Sequence, residues 1–313
     1  MTSVIALPPS LDDQSFEQVL TQLAALPHDA RILLDARHAR WASPYGLTAL
    51  LTLAQTRPEP PGFVPPEADD TLSYWARTGF FKQAEPLFEF AKSPPRPRGG
   101  SESHVLLEIT AIGKPGDVHD VIGRIQERSR AILQGELRLD PRATMGFSMT
   151  LSEACQNIVE HAGGSGWVAV QTYKSQRRLG RRVVNIAVCD SGVGFRRSLE
   201  TVQQARADGR WDDAMALEDA VIRGVSRFRL KDAGRGQGLA GIRRYVGKWD
   251  GKLTVRSGTA RIGIIPSWDD DTPLVEKLAP FPGAQMQITI PEPAPAAAAA
   301  SGSASRSAKG APP

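Results

Sequence analysis

The first part of the chain changes its apolar period several times. Ser3 to Leu7 alternates as a strand does. Asp12 to Leu26 places Phe16, Val19, Leu20, Leu23 and Leu26 at helical spacing, and Arg31 to Asp35 is a short apolar run that ends on an acid, as a buried strand would. Gly46 to Gln55 returns to helical spacing with Leu47, Leu50, Leu51 and Leu53. Such alternation predicts a small sheet covered by helices. Further on, Phe147, Leu151, Ala154, Ile158 and Ala162 form one apolar stripe of a helix over 147–162. Arg182 to Cys189 is a strong strand that runs into Asp190. Leu239, Ile242 and Val246 mark a helix over 239–246.

Composition divides this pattern. Residues 93–103 are rich in Pro, Gly, Ser and Arg and read as a linker, and residues 292–313 lack the apolar variety to build a core and read as a disordered tail. With 313 residues, the expected organisation is a domain over 1–92 and a second over 104–291. No apolar run approaches the roughly 18–20 residues of a membrane span. Met1 to Ile5 has neither a basic start nor a long apolar core, so the expectation is a cytoplasmic protein without a membrane partner. Cys155 and Cys189 lie in apolar stretches, which suits reduced core thiols. The net charge is +4, with Arg177, Arg178, Arg181 and Arg182 gathered around Leu179-Gly180. That cluster reads as a solvated hairpin tip or as a phosphate or acidic-partner patch. No nucleic-acid motif accompanies it, so direct nucleic-acid binding is not expected.

Three short motifs carry the candidate chemistry. Glu153, Asn157 and His161 are spaced i, i+4, i+8 on the predicted helix and share a face beside its apolar stripe. An Asn oxygen suits Mg²⁺, and a carboxylate one turn away suits proton abstraction; by themselves the three also fit an exposed polar face. Asp190 ends a strand and is followed by Gly192 and Gly194, a pattern that also fits an ordinary turn. A strand-end carboxylate can accept a hydrogen bond from an amino group, and the glycines let backbone approach a flat ring. Gly234, Gly236 and Gly238 precede the helix at Leu239, where free N–H groups and the helix dipole favour phosphate.

In order and spacing, the set resembles the GHKL ATPases, the group of gyrase, the heat-shock chaperone, histidine kinases and MutL. The Glu-Ala-x-x-Asn-x-x-x-His pattern at 153–161 is most similar to the anti-sigma factor serine kinases. The resemblance spans roughly 105–291. It implies an α/β fold of the Bergerat type, an α+β two-layer sandwich with a mixed sheet and helices on one face. It implies ATP and Mg²⁺ as cofactors, with Glu153 as general base and Asn157 as the Mg²⁺ ligand. Asp190 would hold the adenine amino group beside Gly192 and Gly194. Gly234, Gly236 and Gly238 would wrap the phosphates near His161 and Leu239, with Lys231 and Arg235 as further phosphate contacts. Residues 196–233 would form a lid, and 251–257 and 285–290 the closing strands. The chain departs from the family at Ala284, where a Thr hydroxyl usually helps to hold adenine. The implied activity is transfer of phosphate to a Ser or Thr of a partner, or a binding module without chemistry.

Asp35, followed by Ser43-Pro44-Tyr45-Gly46-Leu47, resembles a STAS domain, the fold of anti-sigma factor antagonists; Trp75 to Phe81 resembles that family's late helix and turn. The family's leading Asp is replaced by Ser43, and Tyr45 stands at the phosphoacceptor position, so ordinary serine phosphorylation there is not expected. Any small α/β domain would share the same pattern. The resemblance implies a protein partner of the STAS-type antagonist or sigma-like regulator kind, and it admits a homodimer.

Overall fold

The computed structural model describes residues 2–94, 106–113, 165–174, 179–203, 211–226 and 238–293, with single positions and short stretches between 123 and 156. Its N-terminal part is an α/β layer. Strands β1 (Ser3–Ala6), β3 (Ile32–Asp35), β5 (Gly62–Val64) and β6 (Glu89–Phe90) form a parallel sheet in that order, while β2 (Ser10–Leu11) and β4 (Trp41–Ala42) pair beside it. Helix α1 (Phe16–Ala24) starts four residues later than the spacing predicts, because Asp12 and Ser15 close a reciprocal turn. The Ser15 N–H donates to Asp12 Oδ1 and the Asp12 N–H donates to Ser15 Oγ, both at 2.8 Å. Helix α2 (Pro44–Gln55) starts two residues earlier than predicted. Ser43 Oγ accepts the Gly46 N–H at 3.1 Å, and Pro44 occupies the first helical position. The segment expected as one helix and turn is two helices, α3 (Asp69–Arg77) and α4 (Phe80–Ala84), broken at Gly79 with φ +78°. Phe63, Trp75, Phe80, Phe88 and Phe90 pack there ring against ring.

The second part is a seven-stranded sheet. Its strands are β7 (Leu106–Ile112), β8 (Gly166–Lys174), β9 (Arg182–Asp190), β10 (Lys252–Gly258), β11 (Ala260–Ile264), β12 (Leu274–Val275) and β13 (Phe281–Pro291), and their order is β12-β11-β10-β13-β9-β8-β7. The sheet was expected to be mixed, and it is antiparallel at every described pairing. The reason is topological. The long connection from β9 to β10 leaves those strands parallel with a gap between them, and β13 returns through that gap in the opposite direction. Within the connection lie α5 (Gly194–Gln203), α6 (Asp213–Leu217), a π-helical turn (Glu218–Ile222) and α7 (Gly238–Lys248).

Strand alternation sorts the two faces of this sheet. Val184, Ile186 and Val188 of β9, with Met286, Ile288 and Ile290 of β13, face a core completed by Leu199, Leu217, Val221, Ile242 and Val246 of the helices. Ala187, Cys189, Trp167, Ala169 and Phe281 face the N-terminal core instead. The helices between β9 and β10 cover one face, and the N-terminal layer, with its helix α2 against β8 and β9, covers the other, so helices lie on both faces where one was expected. This explains why α2 is buried from Pro44 through Ala54, because it lies between two sheets. The expected lid over 196–233 is corrected in part. Leu199, Ala214, Leu217, Ala220 and Val221 are core residues, and Asp213 Oδ2 accepts both the N–H (2.9 Å) and the hydroxyl (2.8 Å) of Thr259. That packing fixes α6 and the π-helical turn to the sheet; residues 204–210 and 227–237 lie outside the described residues.

The expected linker at 93–103 and tail at 292–313 fall almost wholly outside the described residues. No described helix is long and apolar enough to cross a membrane. Cys155 and Cys189 are both buried free thiols whose pKa burial pushes up to about 12.

Candidate functional site

The site is built where β9 ends. Eight consecutive buried residues carry Asp190 into the interior at the C-terminal end of the strand. Its parity with Val188 points it to the helix-covered face. One carboxylate oxygen, Oδ1, accepts the Gly192 N–H at 2.8 Å and the Ala284 N–H at 3.2 Å. The other oxygen, Oδ2, receives no hydrogen bond from the described residues. The Asp190 main-chain oxygen accepts from Gln285 Nε2 at 3.2 Å. Burial raises the Asp190 pKa from the ordinary carboxylate range to about 6, and the two backbone N–H groups only partly oppose that.

Two glycines let the chain close around this carboxylate. Gly194 has φ +72°, and a Cβ there would sit 2.7 Å from Ser257 Oγ. Gly283 has φ +80°, and a Cβ there would sit 2.0 Å from the Asp190 main-chain oxygen. Ser257 ties the two together by donating to Gly283 O at 2.8 Å and accepting the Phe195 N–H at 3.1 Å. The result is a tight recess of backbone around a buried acceptor at the strand ends, packed so closely at 194 and 283 that neither position has room for a side chain. Gly283→Ala should destabilise the chain by about 2 kcal/mol or more, the left-handed backbone costing about 1–2 kcal/mol and the overlap adding to it. Chemical denaturation checks this, and a midpoint equal to the wild type's would contradict the described approach.

Of the residues singled out from the sequence, Asp190, Gly192 and Gly194 lie together at the end of β9, where the Gly192 N–H donates to Asp190. Gly238 is the first residue of α7, and Leu239, in its first turn, is half-buried against the main core. Glu153, Asn157, His161, Lys231, Gly234, Arg235 and Gly236 lie outside the described residues. Near the first of these, Ser152, Cys155 and Gln156 are helical, and Cys155 belongs to the core. Sequence reasoning noted the Gly283-Ala284 pair only for its lack of a hydroxyl; it missed the close backbone approach at Gly283, the Ala284 N–H as a donor to Asp190, and Ser257. Pro282-Gly283 ahead of an alternating strand was the available signal for the first. Nothing local marked Ser257, whose position follows from its register opposite Ala284.

The strand-end segment that resembles a phosphoacceptor site is closed. Ser43 is buried and spent as the α2 cap. Tyr45 is buried and its pKa is raised by that burial. Among the described residues no cluster of His, Cys, Asp and Glu could hold a metal.

No family model, curated protein or solved structure matches this chain.

Proposed function

We propose that the chain is an ATP- and Mg²⁺-binding regulatory protein of the anti-sigma serine kinase type, with a GHKL-like second domain and a degenerate STAS-like first domain. One observation carries the reading. Asp190 is a buried carboxylate held by two backbone N–H groups through one oxygen, and no described group donates to the other. That is an acceptor for one hydrogen bond from an amino group on a flat ring, at the strand end where the motif order puts adenine. The N-terminus of α7, eleven residues long, supplies N–H groups and dipole for phosphate at Gly238.

In this reading Gly234, Gly236, Gly238, Leu239, Lys231, Arg235 and His161 would serve the phosphates. Asn157 holds Mg²⁺, which when bound neutralises phosphate charge. Glu153 takes the proton from a Ser or Thr hydroxyl of a protein partner in the bacterial signalling class of STAS-type antagonists. Titration calorimetry of the full chain with ATP and Mg²⁺ tests the binding. Saturation below millimolar nucleotide is expected, and no heat at millimolar nucleotide contradicts the reading. Binding also depends on pH with a defined sign. The acceptor is the ionised carboxylate, so affinity should fall toward tenfold per unit below pH 6 as Asp190 takes up its proton. The Asp190→Asn chain should lack that component of the pH profile.

A second reading is a nucleotide-binding or degenerate module that acts by docking alone. Ala284 favours it, because it offers no hydroxyl where the family has one, and the nearby Ser257 hydroxyl is committed to Gly283 and Phe195. Losing one neutral hydrogen bond weakens binding about fivefold. Turnover of labelled ATP separates the readings. Glu153→Ala should abolish phosphotransfer and leave affinity within about threefold, because a general base acts on the reaction rather than on the ground state; unchanged turnover would remove Glu153 from the chemistry.

A further inference from the structure

The N-terminal layer touches the second sheet on the face opposite Asp190, yet three of its polar contacts end beside the recess. Thr48 Oγ1 lies 3.2 Å from Cys189 Sγ, one residue before Asp190. The Thr48 hydroxyl also donates to the Pro44 and Tyr45 carbonyls, and either atom of the Thr48–Cys189 pair can be the donor. Gln55 grips the neighbouring strand. Its Nε2 donates to Ser165 Oγ at 2.6 Å and its Oε1 accepts the Trp167 Nε1–H at 3.1 Å. Between those two residues lies Gly166, the cross-strand partner of Asp190, and Ser191 Oγ donates to the Ser165 main-chain oxygen at 3.4 Å. Glu17 takes Arg256 in a two-oxygen pair at 2.7 and 3.1 Å. The next residue is Ser257, which holds Gly283 and Phe195.

The contacts therefore bracket the recess from three strands, β8, β9 and β10. Strand alternation makes this arrangement effective. A residue gripped on the N-terminal face fixes the pleat of its neighbour on the other face, and each neighbour here is a residue of the recess or its cross-strand partner. On this basis we infer that Thr48, Gln55 and Glu17 are positioning residues for the Asp190 recess, so that docking of the N-terminal layer sets the nucleotide affinity of the second domain. The inference rests on the nucleotide reading above for its consequence, and on the described contacts alone for its geometry. It also gives the N-terminal layer a role that needs no phosphorylation, in keeping with the burial of Ser43 and Tyr45.

The test uses the full chain carrying Thr48→Val and Gln55→Met together, substitutions that keep volume and remove the polar grip. Two readouts are taken: amide hydrogen exchange without nucleotide, and calorimetry with ATP and Mg²⁺. The amides of Gly192, Phe195 and Ala284 should exchange about 25-fold faster, the product of two lost hydrogen bonds at about fivefold each. Those of Leu33, Leu34, Leu253 and Val255 should be unchanged, and ATP affinity should fall by a similar factor. Restoring the hydroxyl and amide as Thr48→Ser with wild-type Gln55 should return most of the protection. Unchanged exchange at the three recess amides, or an equal rise across the whole sheet, overturns the inference. If the wild-type chain binds no ATP while the three amides still respond alone, the nucleotide reading fails and the positioning role stands.

Discussion

Asp190→Asn should make the protein more stable and weaken its binding of ATP about 100-fold. The wild-type carboxylate is buried and its pKa stands at about 6 instead of the ordinary 3.8. Between those values the folded chain binds more protons than the unfolded chain, so this residue makes stability fall as pH rises from about 4 to about 6. At pH 7 the accumulated penalty is about 2–3 kcal/mol, from a shift of about two units at 1.36 kcal/mol each. An Asn carries no charge to desolvate, and its oxygen can still accept the Gly192 and Ala284 N–H groups. The gain should appear at pH 7 and vanish near pH 4, which denaturation midpoints at the two values will show. The same substitution puts an NH₂ where Oδ2 was. An amino group of the ligand then meets a donor instead of a charged acceptor, and affinity should fall about 100-fold, the scale of a lost charge-assisted hydrogen bond. Stabilisation without loss of binding would separate Asp190 from the ligand.

Glu17→Ala should have the largest cost to folding, about 3–5 kcal/mol, although Glu17 stands on the first turn of a short helix. Arg256 explains it. Its side chain is 1% exposed, and Glu17 is its counter-ion across the boundary between the two layers. The guanidinium also donates to the carbonyls of Gly258 and Ala279 and lies 5.5 Å from the Phe281 ring centre. Those groups cannot replace a carboxylate. Replacing both partners, Glu17→Met with Arg256→Met, should recover most of the loss, because a buried pair removed whole leaves no stranded charge. Denaturant midpoints of the two single variants and the double variant form the cycle. A single-variant cost below about 1 kcal/mol would mean that the layers do not dock as described.

The same boundary shows where sequence reasoning stops. The elements were legible wherever one period ran long enough. The strand into Asp190, the helix from Leu239 and both early helices are present, with ends moved by Ser15, Ser43 and Gly79. Strands β7, β8, β11 and β12 were not anticipated. The polar face of β10, with Lys252, Thr254 and Arg256, reads as an ordinary solvent-facing side, yet all three residues are buried. Lys252 pairs with Asp269 and Asp271, and Arg261 of β11 pairs with Asp271 and with Asp13 of the N-terminal layer. Burial disfavours the Asp271 charge, but hydrogen bonds from Lys252 and Arg261 outweigh it and hold its pKa at about 2. No local pattern encodes a partner more than two hundred residues away, so a layer docked on the back of the sheet is invisible in one dimension. The recess shows the same limit. Asp190 and its glycines are a contiguous motif, whereas Gly283, Ala284 and Ser257 reach it only through the register of β13 with β9 and β10.

The central claim is that Asp190 reads an amino group on a purine. The most direct measurement is a calorimetric comparison of ATP with inosine triphosphate, which differs in carrying a carbonyl oxygen in place of that amino group. A preference for ATP of about 100-fold is expected, since the inosine oxygen faces the carboxylate without a donor between them. Equal affinity for the two nucleotides would contradict the account.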